Sequence, residues 1–521
     1  MRSLFGVGAA MKRTLVSLAV IVVASTFILW LTGSLEEAFG WNDGPVAITV
    51  SKETTFVDGP LRPDGTVDYI GAVNAPLADL DPNDNAAVLL VKAIGPKSAP
   101  KETAAEFYRL LKCEAPPEQG EYLVELDELL KRKKIDDDQI LKEYERKQLQ
   151  FWTAATHPLF AELLKVNEKP LALVVEASRR KAFRAPMVTA KNPPMLMGCS
   201  PDFLQHTRTA ARLLCLRAMN RFAEGRVDEG FHDLDACHRL ANLIGEPPKF
   251  VVEALVATTF RRAALAAENT VAFSGRLSVE ALRRRARVVE ALPLAMEGAR
   301  LFADWERLSV LNVMDAVLTH GTEGVFPSGG QLPSPPRIRP PRSTVAFDEA
   351  LRTVNGVFDE IVEALEIAEP KARHAAMAKV QKKFSAMVTR AKLRQEAFGW
   401  FRSSGPPNPR GAKARAGQEA AEAVLSLYLP AFQVWEVGQT RSIAAQRQAV
   451  LAYALAAYKL TNDRYPERLV AGEPGVRPET LIDPPTGDPF VYRVVGGKRQ
   501  VVSVNLEARL TAKDDMVLEL P

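Results

Sequence analysis

The densest set of side chains able to do chemistry is His232, Asp233, Asp235, Cys237 and His238, which puts imidazole, carboxylate and thiol groups within one short stretch. These types suit zinc. On a helix they diverge, because Asp233 and Cys237 share one face while His238 lies with Phe231, Leu234 and Ala241 on another. The two histidines also lack the i, i+4 spacing of an H-E-x-x-H site. The pattern therefore predicts no metal, with His238 a core histidine and His232 a surface one. Asp304, Glu306 and Asp315 could form the acid and base pair of a glycosidase, but in FADWERLSVLNVMDAV they also sit where helix surface charge would. Cys199 precedes a helix start at Ser200-Pro201-Asp202, where the helix N-terminus would lower a thiol pKa, although capping alone accounts for that Ser and Asp. Neither a nucleophile elbow nor a phosphate-binding or dinucleotide-binding glycine motif occurs, so any catalytic residue stays unassigned and no cofactor is expected.

These residues need helices to hold them. The stretch from Phe203 to Leu292 is the clearest helical block, with TRTAARLLCLRAMNRFAEG and VDEGFHDLDACHRLANLIG joined at Gly225-Arg226. Small residues at Ala218, Gly225, Gly230 and Cys237 have spacings like those of a tetratricopeptide unit, and the period does not return cleanly, so repeat-like hairpins are expected. Cys215 and Cys237 fall about 10 and 12 residues either side of that turn, at nearly one height on two antiparallel helices. They are either a disulfide, in an oxidising compartment, or two reduced thiols buried as small hydrophobes.

Earlier, AAVLLVKAIG, AAEFYRLL, YLVELDELLKR and DDQILKEYERKQLQFW read as short amphipathic helices, and Ala47 to Val57 as one strand. Later, Phe347, Leu351, Val354, Phe358, Ile361, Leu365 and Ala368 follow four-three spacing. After Pro370, Met377, Val380, Phe384, Met387 and Ala391 do likewise, which predicts an antiparallel hairpin. Gly324 to Arg342 and Arg402 to Gly417 have linker composition, and a helical pair over about Gln418 to Leu460 leads into a β-rich tail.

Composition is that of a globular protein, 47% hydrophobic and 25% charged, and 67 basic residues against 63 acidic leave no footprint for nucleic acid. Basic runs such as Arg283 to Arg287 and Lys382-Lys383 read as solvated helix faces. Four cysteines are too few for a disulfide scaffold. The uncharged span Thr14 to Thr32 follows Arg2, Lys12 and Arg13, reaches roughly 28 Å as a helix and carries Trp30 near its end. It predicts a single-pass anchor in the cytoplasmic membrane with the bulk of the chain extracytoplasmic; a cleaved signal peptide is the alternative and keeps the same topology.

At the C-terminus, a helix ending in Tyr465-Pro466, a turn at Asp488-Pro489, a strand through Tyr492, a Gly-Gly hairpin and a last strand resemble the small globular domain of type II secretion major pseudopilins. The pilin processing site is missing, and LEARLTAKDDM replaces the calcium loop, so Asp514 and Asp515 are not expected to bind calcium. The chain as a whole, through TTFVDGPLRPDGTVDYIGAVN, NDNAAVLLVKAIGP and LRAMNRFAEGRVDEGFHDLDACHRLANLIG, resembles a family of large membrane-anchored proteins of planctomycete bacteria. That resemblance implies architecture and no activity.

The expected order is a stub and anchor over 1–33, a turn-rich segment with a short strand over 34–84 and a helical domain over 85–323. A linker over 324–343, a long hairpin over 344–401, a linker over 402–417 and a helical pair with a β tail over 418–521 complete it. The fold class is mainly α with a small α+β C-terminal module. The expected function is an envelope scaffold that binds protein partners. Alternatives are a cell-envelope hydrolase with paired carboxylates and an accessory of a pseudopilus-like assembly.

Overall fold

Apolar residues at three- and four-residue spacing become helices along most of the computed structural model, which describes residues 48–199, 202–245, 250–293, 298–325, 344–398, 409–470, 475–504 and 516–521. The anchor span Thr14 to Thr32, the Gly324 to Arg342 linker beyond Val325, and Asp514 and Asp515 lie outside the described residues. Among those described, no helix is long and apolar enough to cross a membrane.

Among the described residues, seven short helices come first: α1 (Tyr69–Asn74), α2 (Ala86–Ile94), α3 (Ala104–Leu111), α4 (Leu126–Lys133), α5 (Asp138–Lys147), α6 (Pro158–Val166) and α7 (Glu168–Ala177). Side-chain caps set several of their starts: Asn85 accepts from the Ala87 N–H at 3.1 Å, and Asp137 from that of Gln139 at 2.8 Å. Longer helices follow: α8 (Asp202–Ala223), α9 (Val227–Gly245), α10 (Val251–Ala272), α11 (Val279–Glu290), α12 (Gly298–Val325), α13 (Thr344–Leu365), α14 (Pro370–Phe398) and α15 (Pro409–Asn462).

The expected strand at Ala47 to Val57 is not formed; its described residues make an irregular turn. Its hydroxyls explain this. Thr55 Oγ1 accepts from the Ser51 N–H at 3.1 Å, and the Ser51 carbonyl accepts from the Thr55 N–H at 2.9 Å, so these backbone groups are satisfied locally instead of by a neighbouring strand. The expected C-terminal helical pair is one continuous helix, α15, which begins at Pro409 inside the expected linker. Gly417 is the reason it can lie where it does. A Cβ there would overlap the backbone of Ala346 in α13, so a glycine lets the two helices touch.

Two apolar cores result. The first gathers the short helices from α2 onward, α8 to α11, the second half of α15 (Ala449 to Ala457) and one face of the sheet. The second joins α12, α13, α14 and the first half of α15, with Val67, Tyr69 and Val73 from the N-terminal segment. In it the α13 residues Phe347, Leu351, Val354, Phe358 and Ile361 are buried, and their seam is covered by α12 and α15 as well as by α14. The longest helix thus belongs to both cores.

The tail is a three-stranded antiparallel sheet in the order β1 (Val491–Val495), β2 (Lys498–Ser503), β3 (Met516–Leu520). Gly496 and Gly497, with φ of 59° and 80°, make the two-residue turn between β1 and β2. The strand β3 adds one element to the expected tail. Gln448 of α15 donates to the Val501 and Met516 carbonyls at 3.2 and 2.9 Å and so fastens the sheet to the helix.

Candidate functional site

The His232 to His238 cluster opens outward from α9, each member toward a different neighbour. Asp233 is fully buried and takes Arg217 at 2.7 and 3.0 Å and Arg221 at 2.7 Å, both from α8. His232 meets Arg179 at 2.6 Å, and burial together with that guanidinium pushes its pKa down. Asp235 takes Arg285 of α11 at 2.7 Å, and His238 lies 3.3 Å from Glu268 of α10. Cys237 points at Phe260 O, 3.6 Å away, and at Cys215. Among the described residues no group of three metal-ligand side chains assembles.

Glu268 is the centre that the sequence reading missed. Its carboxylate, fully buried, receives Arg285 through Nε at 3.0 Å and through Nη2, the Tyr453 hydroxyl of α15 at 2.5 Å, and His238. Four helices are tied at one point. Burial would raise the Glu268 pKa, but Arg285 and His238 outweigh it and hold the value down at about 2. Tyr453 is pushed well above its ordinary value by burial and by the Glu268 charge. Arg285 also stacks on Phe231, 4.5 Å from the ring centroid. This corrects the reading of Arg283 to Arg287 as a solvated face: Arg283, Arg284 and Arg287 are exposed, and Arg285 is buried. The available signal was Leu282, Arg285, Ala286 and Val289 on one helical stripe.

Cys215 and Cys237 are both fully buried free thiols on adjacent helices. A hydrogen bond to Cys215, then burial, raises the Cys237 thiol well above its ordinary range, so Cys237 is no ready nucleophile. Cys199, half-buried, donates to Met195 O at 3.7 Å just before α8.

The α12 carboxylates are placed apart. Asp304 lies in α12, its side chain outside the described set. Glu306 accepts from the Val251 N–H at 2.6 Å at the start of α10, and burial pushes its pKa up to about 7, with Glu253 adding to the rise. Asp315 is 3.5 Å from Arg62, and its Oδ1 has no protein partner. Burial raises it to about 7, which Arg62 opposes and Asp64 reinforces. Nine residues separate Glu306 from Asp315 on one helix, about 13.5 Å of rise and half a turn of phase. The two carboxyl groups of a glycosidase stand roughly 5–9.5 Å apart.

No protein-family model, no curated protein and no solved structure matches this chain.

Proposed function

We propose that the chain is a membrane-tethered helical scaffold, held by Thr14 to Thr32, whose extracytoplasmic body binds protein partners instead of turning over a substrate. One observation carries this reading. The residues best suited to chemistry, Asp233, Asp235, His238, Glu268 and Arg285, are consumed in ties between helices, as a body that must keep a fixed shape requires. The hairpin of α8 and α9 supports a tetratricopeptide-like unit, because Gly230 accommodates the Phe222 ring where a Cβ would come within 2.7 Å of it. The separation of Glu306 and Asp315 weighs against the hydrolase alternative.

The test is affinity capture of the intact protein from native membranes, followed by identification of what co-purifies in constant ratio. A stoichiometric envelope protein is expected. Hydrolysis of an envelope polymer by the purified chain, abolished by E306Q or D315N, would overturn the reading.

A further inference from the structure

Helix α11 turns one face into the first core and leaves the other bare. Leu282, Arg285, Ala286 and Val289 are buried, whereas Arg283, Arg284, Arg287 and Val288 are exposed, the last at 40%. The inner face fixes the helix in place. Arg285 is tied to Glu268 and Asp235, and Gln446 of α15 donates to the Val289 and Leu292 carbonyls at 3.0 and 2.9 Å. At the other end Ser278 caps the helix by accepting from the Ala281 N–H at 3.2 Å.

The bare face is cationic, and the body does not answer its charge. Several other surface arginines of the first core hold a carboxylate, as Arg109 holds Glu106, Arg132 Glu128, Arg180 Glu176 and Arg226 Glu224. Among the described residues Arg283, Arg284 and Arg287 form no ion pair. The acids around them are already engaged: Glu280 is held by its own backbone N–H and by Ser278, Glu290 by Thr480 at 2.7 Å and by Arg477, and Asp235 by Arg285. Arg283 and Arg287 stand one above the other, about 6 Å of rise apart, with Arg284 and Val288 in the adjoining row.

Resting on the partner-binding reading, we infer that this face of α11 docks an acidic helix of a protein partner, whose carboxylates one turn apart meet Arg283 and Arg287 while an apolar side chain covers Val288. Like charges one turn apart on a helix repel, so the stripe costs the isolated chain stability that a complementary surface returns. Guanidinium forks match carboxylates in a planar, two-bonded geometry. A partner helix with glutamates at i and i+4 has the same rise as the stripe, so both carboxylates meet their arginines without strain. Because the inner face holds α11 fixed, little helix ordering remains to be done on binding.

The full chain in a non-ionic detergent, titrated into a fluorescein-labelled alanine-based helical peptide with glutamates at i and i+4 and leucine beside them, tests this by fluorescence anisotropy. At about 50 mM salt, where screening is weak, the peptide should bind and its glutamine counterpart should not. The R283Q/R284Q/R287Q variant, changed only at exposed side chains, should bind at least about tenfold more weakly. The K101Q/K131Q/K142Q variant loses the same charge from exposed positions elsewhere and should stay within about twofold of the unsubstituted chain. Equal losses in the two variants would overturn the proposal, because net charge alone would then drive binding. Binding of inorganic polyphosphate without binding of the peptide would also overturn it and assign the surface to a phosphate polymer. The partner-binding reading is scored separately: a partner that co-purifies as well with R283Q/R284Q/R287Q as with the unsubstituted chain removes docking at α11 and leaves the scaffold, whereas peptide binding without any co-purifying partner removes the scaffold and leaves the surface.

Discussion

The two cores handle buried carboxylates in opposite ways. In the first, Glu268 is met by a guanidinium, a phenol and an imidazole from three other helices, and it stays ionised. In the second, Asp315 has one distant arginine and an oxygen without a protein partner, while Glu306 has one backbone N–H, and both are pushed up to about 7. Burial is nearly complete in all three, so the number of partners decides the charge state. The first core uses charge as a fastener; the second tolerates carboxylates that are easily neutralised.

The largest test of this contrast removes the fastener. E268Q removes the bidentate partner of buried Arg285 and leaves it only the half-buried Asp235 as counter-charge, and breaking such a buried pair should destabilise by about 3–5 kcal/mol. Denaturant unfolding measures it. A loss below about 1 kcal/mol would show that the network is not a tie.

The second test uses pH. Because Asp315 and Glu306 titrate at about 7 when folded and near 4 when unfolded, the folded chain holds protons between about pH 4 and 7 that the unfolded chain has released. Their contribution is full below about pH 4 and falls as pH rises toward 7, by on the order of 3 kcal/mol for each group. Glu268 has the reverse sign: its contribution is full above about pH 4.5 and is lost as pH falls toward about 2. Unfolding of the second core should therefore become easier from pH 5 to pH 7, and D315N should flatten that slope. A slope unchanged in D315N would remove Asp315 from the account.

A smaller effect probes the seam that joins the cores. G417A places a methyl against the Ala346 backbone, where overpacking should destabilise by about 1–3 kcal/mol. Were thermal unfolding unaffected, the close approach of α13 and α15 would be wrong.

Much of the helical fold was legible because the α8–α9 hairpin and the α13 and α14 seams obey helical spacing and end at Gly225, Pro370 and similar breaks. What escaped depends on distant partners. Glu268 follows a run of alanines, and only its partners on three other helices, Arg285, His238 and, 185 residues away in sequence, Tyr453, reveal why it is there. The length of α15 was hidden by Pro409, Gly411 and Gly417 in its first turns, which read as linker residues, although the helix begins at Pro409 and Gly417 packs against α13. The strand expected at Ala47 to Val57 failed because Thr55, one of its β-branched residues, bonded the nearby backbone. For the site, the shared face of Asp233 and Cys237 and the core position of His238 were readable, whereas the burial of Asp233 and the centre at Glu268 were not.

The claim on which the functional account rests is that this body stands outside the cytoplasm on an N-terminal anchor. A phosphatase that is active only after export, fused after Pro521 in the intact chain, tests it directly. The account predicts membrane-bound phosphatase activity that disappears when Thr14 to Thr32 is deleted, and activity from a reporter that works only in the cytoplasm would contradict it.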